Sequence, residues 1–120
     1  DSFAVSKANE ILLHYNNADV VGIDEAQFFD PEIADICDVL AFKAVRVIVA
    51  GLDMDFSGKP FGAMPHILAK ADYVTKLHAI CQQCGSMANY SYRKVANEEQ
   101  VMLGATDSYE PRCRKCYQQS

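Results

Sequence analysis

Four cysteines fall in two matched pairs, Cys81-Gln82-Gln83-Cys84 and Cys113-Arg114-Lys115-Cys116. A CxxC turn presents two thiolates to one ion, and two such turns supply the four sulfurs of a closed tetrahedral site, the pattern of structural zinc. Free thiols or a redox CxxC are the alternatives, and two matched pairs are a far more specific signal of metal than one. The gap between Cys84 and Cys113 exceeds the usual ribbon spacing and implies a loop or hairpin inserted between the knuckles. His78, three residues before Cys81, reads as a strand-end residue rather than a fifth ligand.

A second kind of chemistry is written in the acidic residues. Val20-Val21-Gly22-Ile23-Asp24-Glu25 has the form of a Walker B strand, an apolar run that delivers carboxylates to the phosphate edge of a sheet. Asp24 would orient Mg²⁺ through water, and Glu25 could accept a proton from a substrate hydroxyl or from water. An acidic pair capping a strand end is often merely structural, and the strand alone does not choose. Ser57-Gly58-Lys59 imitates part of a phosphate loop, but Gly51 and Gly58 are wrongly spaced and Pro60 stands where a hydroxyl is required. No Walker A motif is present in these residues. Phe28, Phe29, Phe56 and Phe61 all fall in loops beyond strand ends, where rings could stack on a flat ligand; core packing is the plain alternative for each.

The elements that must position these groups follow from hydrophobic periodicity. Ala8, Ile11, Leu12 and Tyr15 recur at helical spacing, which predicts an amphipathic helix ending near Asn16 and Asn17 and packing on a sheet. Asp19 to Asp24 reads as a parallel strand covered on both faces. Asp30 is expected to cap the next helix, with Pro31 in its first turn, Ile33, Ile36, Cys37 and Leu40 along one face, and an end near Ala44. Val45 to Ala50 is a second buried strand, completing a right-handed βαβ unit whose carboxyl edge gathers Asp24, Glu25 and Asp53. Beyond the Gly51 to Gly62 loop come a weak helix at Ala63 to Ala71, a strand at Tyr73 to Leu77, and an alternating stretch from Asn89 to Val95. The division expected is an α/β domain over residues 1–77 and a small zinc-binding domain over 78–120.

Composition bounds the function. The chain has 120 residues, half of them hydrophobic and 22% charged, with a formal net charge of -5, an ordinary globular balance that argues against a phosphate-tracking DNA or RNA binder. No run approaches bilayer length and no signal pattern opens the chain, so a cytoplasmic location is the expectation, and paired CxxC spacing in a reducing compartment favours metal over disulfides. The chain begins without methionine and reads as a fragment of something longer.

Taken together, Asp24-Glu25-Ala26-Gln27-Phe28-Phe29, then Gly51-Leu52-Asp53-Met54-Asp55-Phe56 with Lys59-Pro60-Phe61-Gly62, then the two CxxC pairs, resemble the thymidine kinase family with a zinc-binding lasso domain. The resemblance covers nearly the whole chain, in the family's order, and Gly104 and Tyr109-Glu110-Pro111 fit its lasso. It implies a P-loop-NTPase-like α/β core with a parallel sheet and flanking helices, a small zinc-ribbon-like lasso domain, and transfer of the γ-phosphoryl group of ATP to the 5′-hydroxyl of thymidine. Glu25 matches the catalytic base. Phe28, Leu52, Phe56 and Phe61 match residues around the nucleoside, Tyr109 matches a tyrosine that closes over it, and backbone groups at Met102, Leu103 and Gly104 would read the pyrimidine edge. The zinc would anchor both ends of the lasso, reducing the entropy lost when that loop closes over substrate. The family also implies a tetramer and feedback inhibition by thymidine triphosphate. Its Gly-rich phosphate loop has no counterpart in these residues, so the chain alone is expected not to catalyse phosphoryl transfer efficiently. Two rivals stand beside this reading: a zinc-ribbon interaction module without catalysis, and half of an ATPase in which Glu25 activates water.

Overall fold

The computed structural model describes residues 2–94 and 108–119. The chain divides into two compact units, one formed by Asp1–Asp53 and Pro60–Val74, the other by Met54–Lys59 and Thr75–Ser120.

The first unit is mixed α/β. Its opening helix, α1 (Glu10–His14), buries Ile11 and stops where Asn16 and Asn17 take φ of 49° and 53°, a left-handed conformation that asparagine tolerates. Strand β1 (Val20–Ile23), helix α2 (Ile33–Phe42) and strand β2 (Arg46–Val49) follow. The two strands pair in parallel, from Val20 opposite Arg46 to Ile23 opposite Val49, as the two apolar runs predict. Ile33, Ile36 and Leu40 are buried on the inward face of α2, with Cys37 half-buried beside them.

Three local expectations are corrected. Asp30 does not cap α2; its Oδ1 accepts the N–H of Ala8 at 3.1 Å, and the helix starts after Glu32 with no side-chain cap. Ala8 is fully buried, so its N–H needs that acceptor more than an exposed helix end does. Second, the sheet is covered on one face only among the described residues: Val21, Ile23, Val47 and Val49 join the core, while Val20 and Ile48 are each 52% exposed. Third, residues 73–77 form no strand, and Tyr73, Val74 and Leu77 are exposed. β-propensity without a partner strand does not make a sheet.

Helix α3 (Met64–Lys70) agrees with the weak helix expected there, carries a proline in its first turn, and is joined to α2 by an ion pair of 2.6 Å between Lys70 and Asp38. Ile33 and Leu40 are the largest side chains wholly removed from solvent. Leu40→Ala is therefore expected to cost about 2–5 kcal/mol, read as a lowered midpoint in denaturant titration with an unchanged slope.

The second unit is built from short pieces. Strands β3 (Ala79–Ile80) and β4 (Met87–Ala88) form a two-residue antiparallel ladder, β5 (Tyr90–Arg93) pairs antiparallel with β6 (Tyr109–Arg112), and α4 (Arg114–Gln118) closes the chain. β5 falls within the alternating stretch expected at Asn89 to Val95.

Candidate active site and metal centre

The end of β1 sets the acidic pair. Ala50 donates its N–H to the Ile23 carbonyl at 2.8 Å and Ala26 donates to the Ala50 carbonyl at 3.0 Å, so the ladder continues past both strands on either side of Asp24 and Glu25. Glu25 bridges this gap with φ 53° and ψ 43°, a left-handed conformation that costs a non-glycine residue about 1–2 kcal/mol. Asp24 Oδ1 accepts the Glu25 N–H at 2.8 Å and steadies the bend. Both acidic side chains stay open to solvent and line a groove of about 920 Å³ along β1 with Phe28. Glu25 Oε2 accepts a hydrogen bond of 2.8 Å from the side-chain amide of Gln27, a buried residue whose Oε1 in turn accepts the Leu52 N–H at 3.1 Å.

The aromatic residues separate into different environments. Phe28, half-exposed, meets the buried Phe61 edge to face at 5.6 Å between centroids, and Leu52 is also half-exposed. Phe29 packs against the core. Phe56 belongs to the second unit, so the four rings expected at one edge do not form one cluster in either unit.

In the second unit the Phe56 ring lies beneath the guanidinium of Arg93, 3.6 Å from its centroid. Arg93 is buried, sits 5.3 Å from the Tyr109 ring centroid, and donates from Nη2 to the Tyr109 hydroxyl at 2.8 Å. The Phe56 carbonyl accepts the Tyr117 hydroxyl at 2.5 Å, and Tyr117 stacks on Tyr90 at 4.5 Å. Asp55 Oδ1 accepts from the Ser57 N–H, the Ser57 hydroxyl and the Lys59 N–H, so the segment that imitates a phosphate loop is a carboxylate-centred turn. Met102, Leu103 and Gly104 lie outside the described residues.

The cysteines converge. Cys81 leaves β3, Cys84 follows one turn later, Cys113 leaves β6, and Cys116 sits in α4. Gly85 takes φ 79° as the first knuckle turns back, its N–H reaching the Cys81 carbonyl at 2.9 Å, and Gln82 donates to the Pro111 carbonyl at 3.0 Å, tying that knuckle to β6. Gln83 and Arg112 both donate to Glu110, which holds its carboxyl below the ordinary range. The four Sγ atoms all lie within 4.8 Å of one another, with Cys84 and Cys113 at 3.6 Å. A tetrahedral ion with sulfur at ~2.3 Å needs sulfur–sulfur separations of about 3.8 Å, so the four could hold a metal ion and the donor set suits zinc.

Charge on the thiols is uneven. Burial raises the Cys81 thiol, but backbone N–H groups of Cys113, Cys84 and Gln83 more than offset it and bring it down to about 6. Bonding to Ser86 lowers Cys84, while the neighbouring Cys113 thiol and burial push Cys116 up to about 12. Like charges this close cannot all ionise unaided; a bound divalent cation removes the conflict. His78 bonds instead to the Asn89 side chain and stands outside this group.

Two residues carry more of the geometry than the sequence indicated. Gln27 lies inside the acidic motif but has no spacing signal of its own, and Arg93 ends an aromatic strand with nothing to announce Phe56 as its partner.

Comparison with known proteins fits this arrangement. The family described as Thymidine kinase matches residues 2–117. The chain belongs to the thymidine kinase family. It is 56% identical over 119 residues to a thymidine kinase of Bacteroides fragilis (strain YCH46), covering 99% of this chain and 60% of that protein. A thymidine kinase of Rhodothermus sp. (strain ITI 518) is 56% identical over 117 residues, covering 98% and 55%, and one of Porphyromonas gingivalis (strain W83) is 53% identical over 116, covering 97% and 57%. The chain thus spans a little over half the length of these family members.

Proposed function

We propose that the protein carrying this chain is a thymidine kinase, transferring the γ-phosphoryl group of ATP to the 5′-hydroxyl of thymidine. The observation that carries the reading is the family match over residues 2–117, which includes both the acidic pair and the four cysteines. Glu25, solvent-open and held by Gln27, is the group to accept the hydroxyl proton. Asp24 would hold Mg²⁺ through water, and that ion neutralises charge on the ATP phosphates when bound. Phe28, Leu52, Phe56, Phe61 and Tyr109 are each proposed as nucleoside contacts, and the backbone at Met102 to Gly104 is proposed to read the base edge. Cys81, Cys84, Cys113 and Cys116 would hold zinc, and with all four positions taken by thiolates its role would be structural. The working division is a kinase core at residues 1–77 and a lasso domain at 78–120. A tetramer, feedback inhibition by thymidine triphosphate and a cytoplasmic site belong to the same reading; no helix among the described residues is long and apolar enough to cross a membrane.

The test is calorimetric titration of thymidine into zinc-loaded whole protein, with deoxyguanosine as control, followed by chromatography of the ATP reaction. Selective thymidine binding and thymidine-dependent formation of thymidine monophosphate are expected. ATP consumption indifferent to thymidine would instead assign Glu25 to water activation.

A further inference from the structure

We infer that Gln27 is a positioning residue that couples the Glu25 carboxylate to the backbone of Leu52, so that proton acceptance and one wall of the nucleoside site are set by a single buried amide. Gln27 is 3% exposed, and both ends of its side-chain amide are committed: Nε2 donates to Glu25 Oε2 at 2.8 Å, and Oε1 accepts the Leu52 N–H at 3.1 Å. Burial without exchange for water makes each bond costly to break, and the two bonds together fix which way the amide points. Its surroundings are tight on two sides. A Cβ on Gly51 would lie 2.9 Å from Gln27 Oε1, and one on Gly62, where φ is +54°, would collide with the Gln27 carbonyl oxygen. Two backbone segments, after β2 and before α3, therefore close directly onto Gln27.

Glu25 itself needs such support. Its left-handed backbone carries an exposed side chain that has, apart from Gln27, several rotamers open to solvent. A base displaced by about 1 Å loses on the order of 100-fold in rate, so holding one carboxylate oxygen narrows the positions open to the other on a residue that lines the groove with Phe28.

The inference rests on the reading of Glu25 as proton acceptor, and a double-mutant cycle separates the two. In the whole protein Gln27→Met, close in volume, without a donor and with only a weakly accepting sulfur, is expected to lower kcat for thymidine about 10- to 100-fold. In a Glu25→Gln background the same substitution is expected to lower kcat by less than about twofold, because the carboxylate it positions is gone, while the lost Leu52 link raises KM for thymidine to a similar extent in both backgrounds. An equal loss in both backgrounds would make Gln27 a structural residue only and overturn the inference. Wild-type kcat in Glu25→Gln alone would instead remove the base assignment. Should Gln27→Met not fold, Gln27→Glu takes its place in the cycle: it keeps an acceptor for Leu52 but sets a carboxylate against Glu25. The exchange Glu25→Gln with Gln27→Glu restores a donor–acceptor pair, and is expected to recover the melting temperature lost by Gln27→Glu while leaving kcat at the Glu25→Gln level. Recovery of kcat in that exchanged pair would also count against the inference.

Discussion

Replacing Cys113 with serine is expected to abolish zinc retention and to unfold the second unit while the first keeps its own cooperative transition. The reason lies in what each unit buries. In the first, Ile33, Leu40, Ile11, Ile23, Ile36, Met64 and Ile67 form one continuous core that contains none of the four metal-site cysteines. Among the described residues of the second, the buried side chains are Asp55, Cys81, Ala88 and Arg93, two of them charged and the others a thiol and a methyl. Such a set cannot offset the conformational entropy of ordering dozens of residues. The two-residue β3–β4 ladder and the five-residue α4 add little local stability. Metal binding in small thiolate domains is worth about 10–16 kcal/mol at neutral pH and is in effect their folding energy. Serine supplies a hydroxyl that stays protonated and leaves three sulfurs for the ion. Zinc content after dialysis against a chelator should fall from one equivalent to near zero, and amide exchange across β5 and β6 should lose its protection. Retained protection at Tyr92 and Glu110 in zinc-free protein would show that the Arg93, Phe56 and Tyr109 stack is sufficient by itself.

Much of this arrangement was legible because it rests on local periodicity or on paired spacing. The runs Val20 to Ile23 and Val45 to Ala50, with Ile33, Ile36 and Leu40 at helical intervals between them, specify a parallel βαβ unit before any contact is known. The metal group was legible for a different reason: two CxxC turns can satisfy four thiolates only by converging. Features settled by distant partners were not legible. Asp30 looks like a cap because its neighbours are helical, yet the deciding fact is a buried N–H at Ala8, 22 positions away in sequence. Tyr73, Val74 and Leu77 have the composition of a strand, but pairing depends on which backbone lies alongside. Phe28, Phe29, Phe56 and Phe61 look alike in sequence and end in different environments: half-exposed, against the core, under an arginine and buried. Ring burial depends on tertiary neighbours that a motif does not name.

The same distinction bears on the Arg93 stack and on Gln27. Each is an ordinary polar residue by composition, and each becomes structurally decisive only because its partners, Phe56 and Tyr109 for one and Glu25 and Leu52 for the other, are brought from separate segments. Gln27 ties Leu52, and Arg93 ties Phe56, to another segment of the same unit, and Leu52, Phe56 and Phe61 of the loop after β2 are among the residues assigned to the nucleoside. A wall built from loop residues needs fixed points of this kind if its rings are to meet a ligand in one geometry.

In the whole protein, and on the proposed reading of Glu25 as proton acceptor, Glu25→Gln is expected to lower kcat for thymidine by about 10²–10⁴-fold, the usual contribution of such a group, with thymidine affinity unchanged within a few-fold. The substitution is close to isosteric, and the amide oxygen of the new side chain can still accept from Gln27 Nε2, so the 2.8 Å link and the bend that Asp24 steadies are preserved. The native side chain is exposed, and stability should therefore stay within about 0.5 kcal/mol of wild type. A pure loss of kcat at constant binding identifies an interaction made only as the proton moves, whereas a rise in KM alone would mark Glu25 as a contact to the bound sugar. Glu25→Asp offers the complementary reading. It keeps the charge and draws the carboxylate back by one methylene, out of reach of Gln27, so an intermediate loss is expected if position matters as well as basicity. Full activity in both variants would move the base elsewhere, with Asp24, its neighbour in the same groove, the first alternative to substitute.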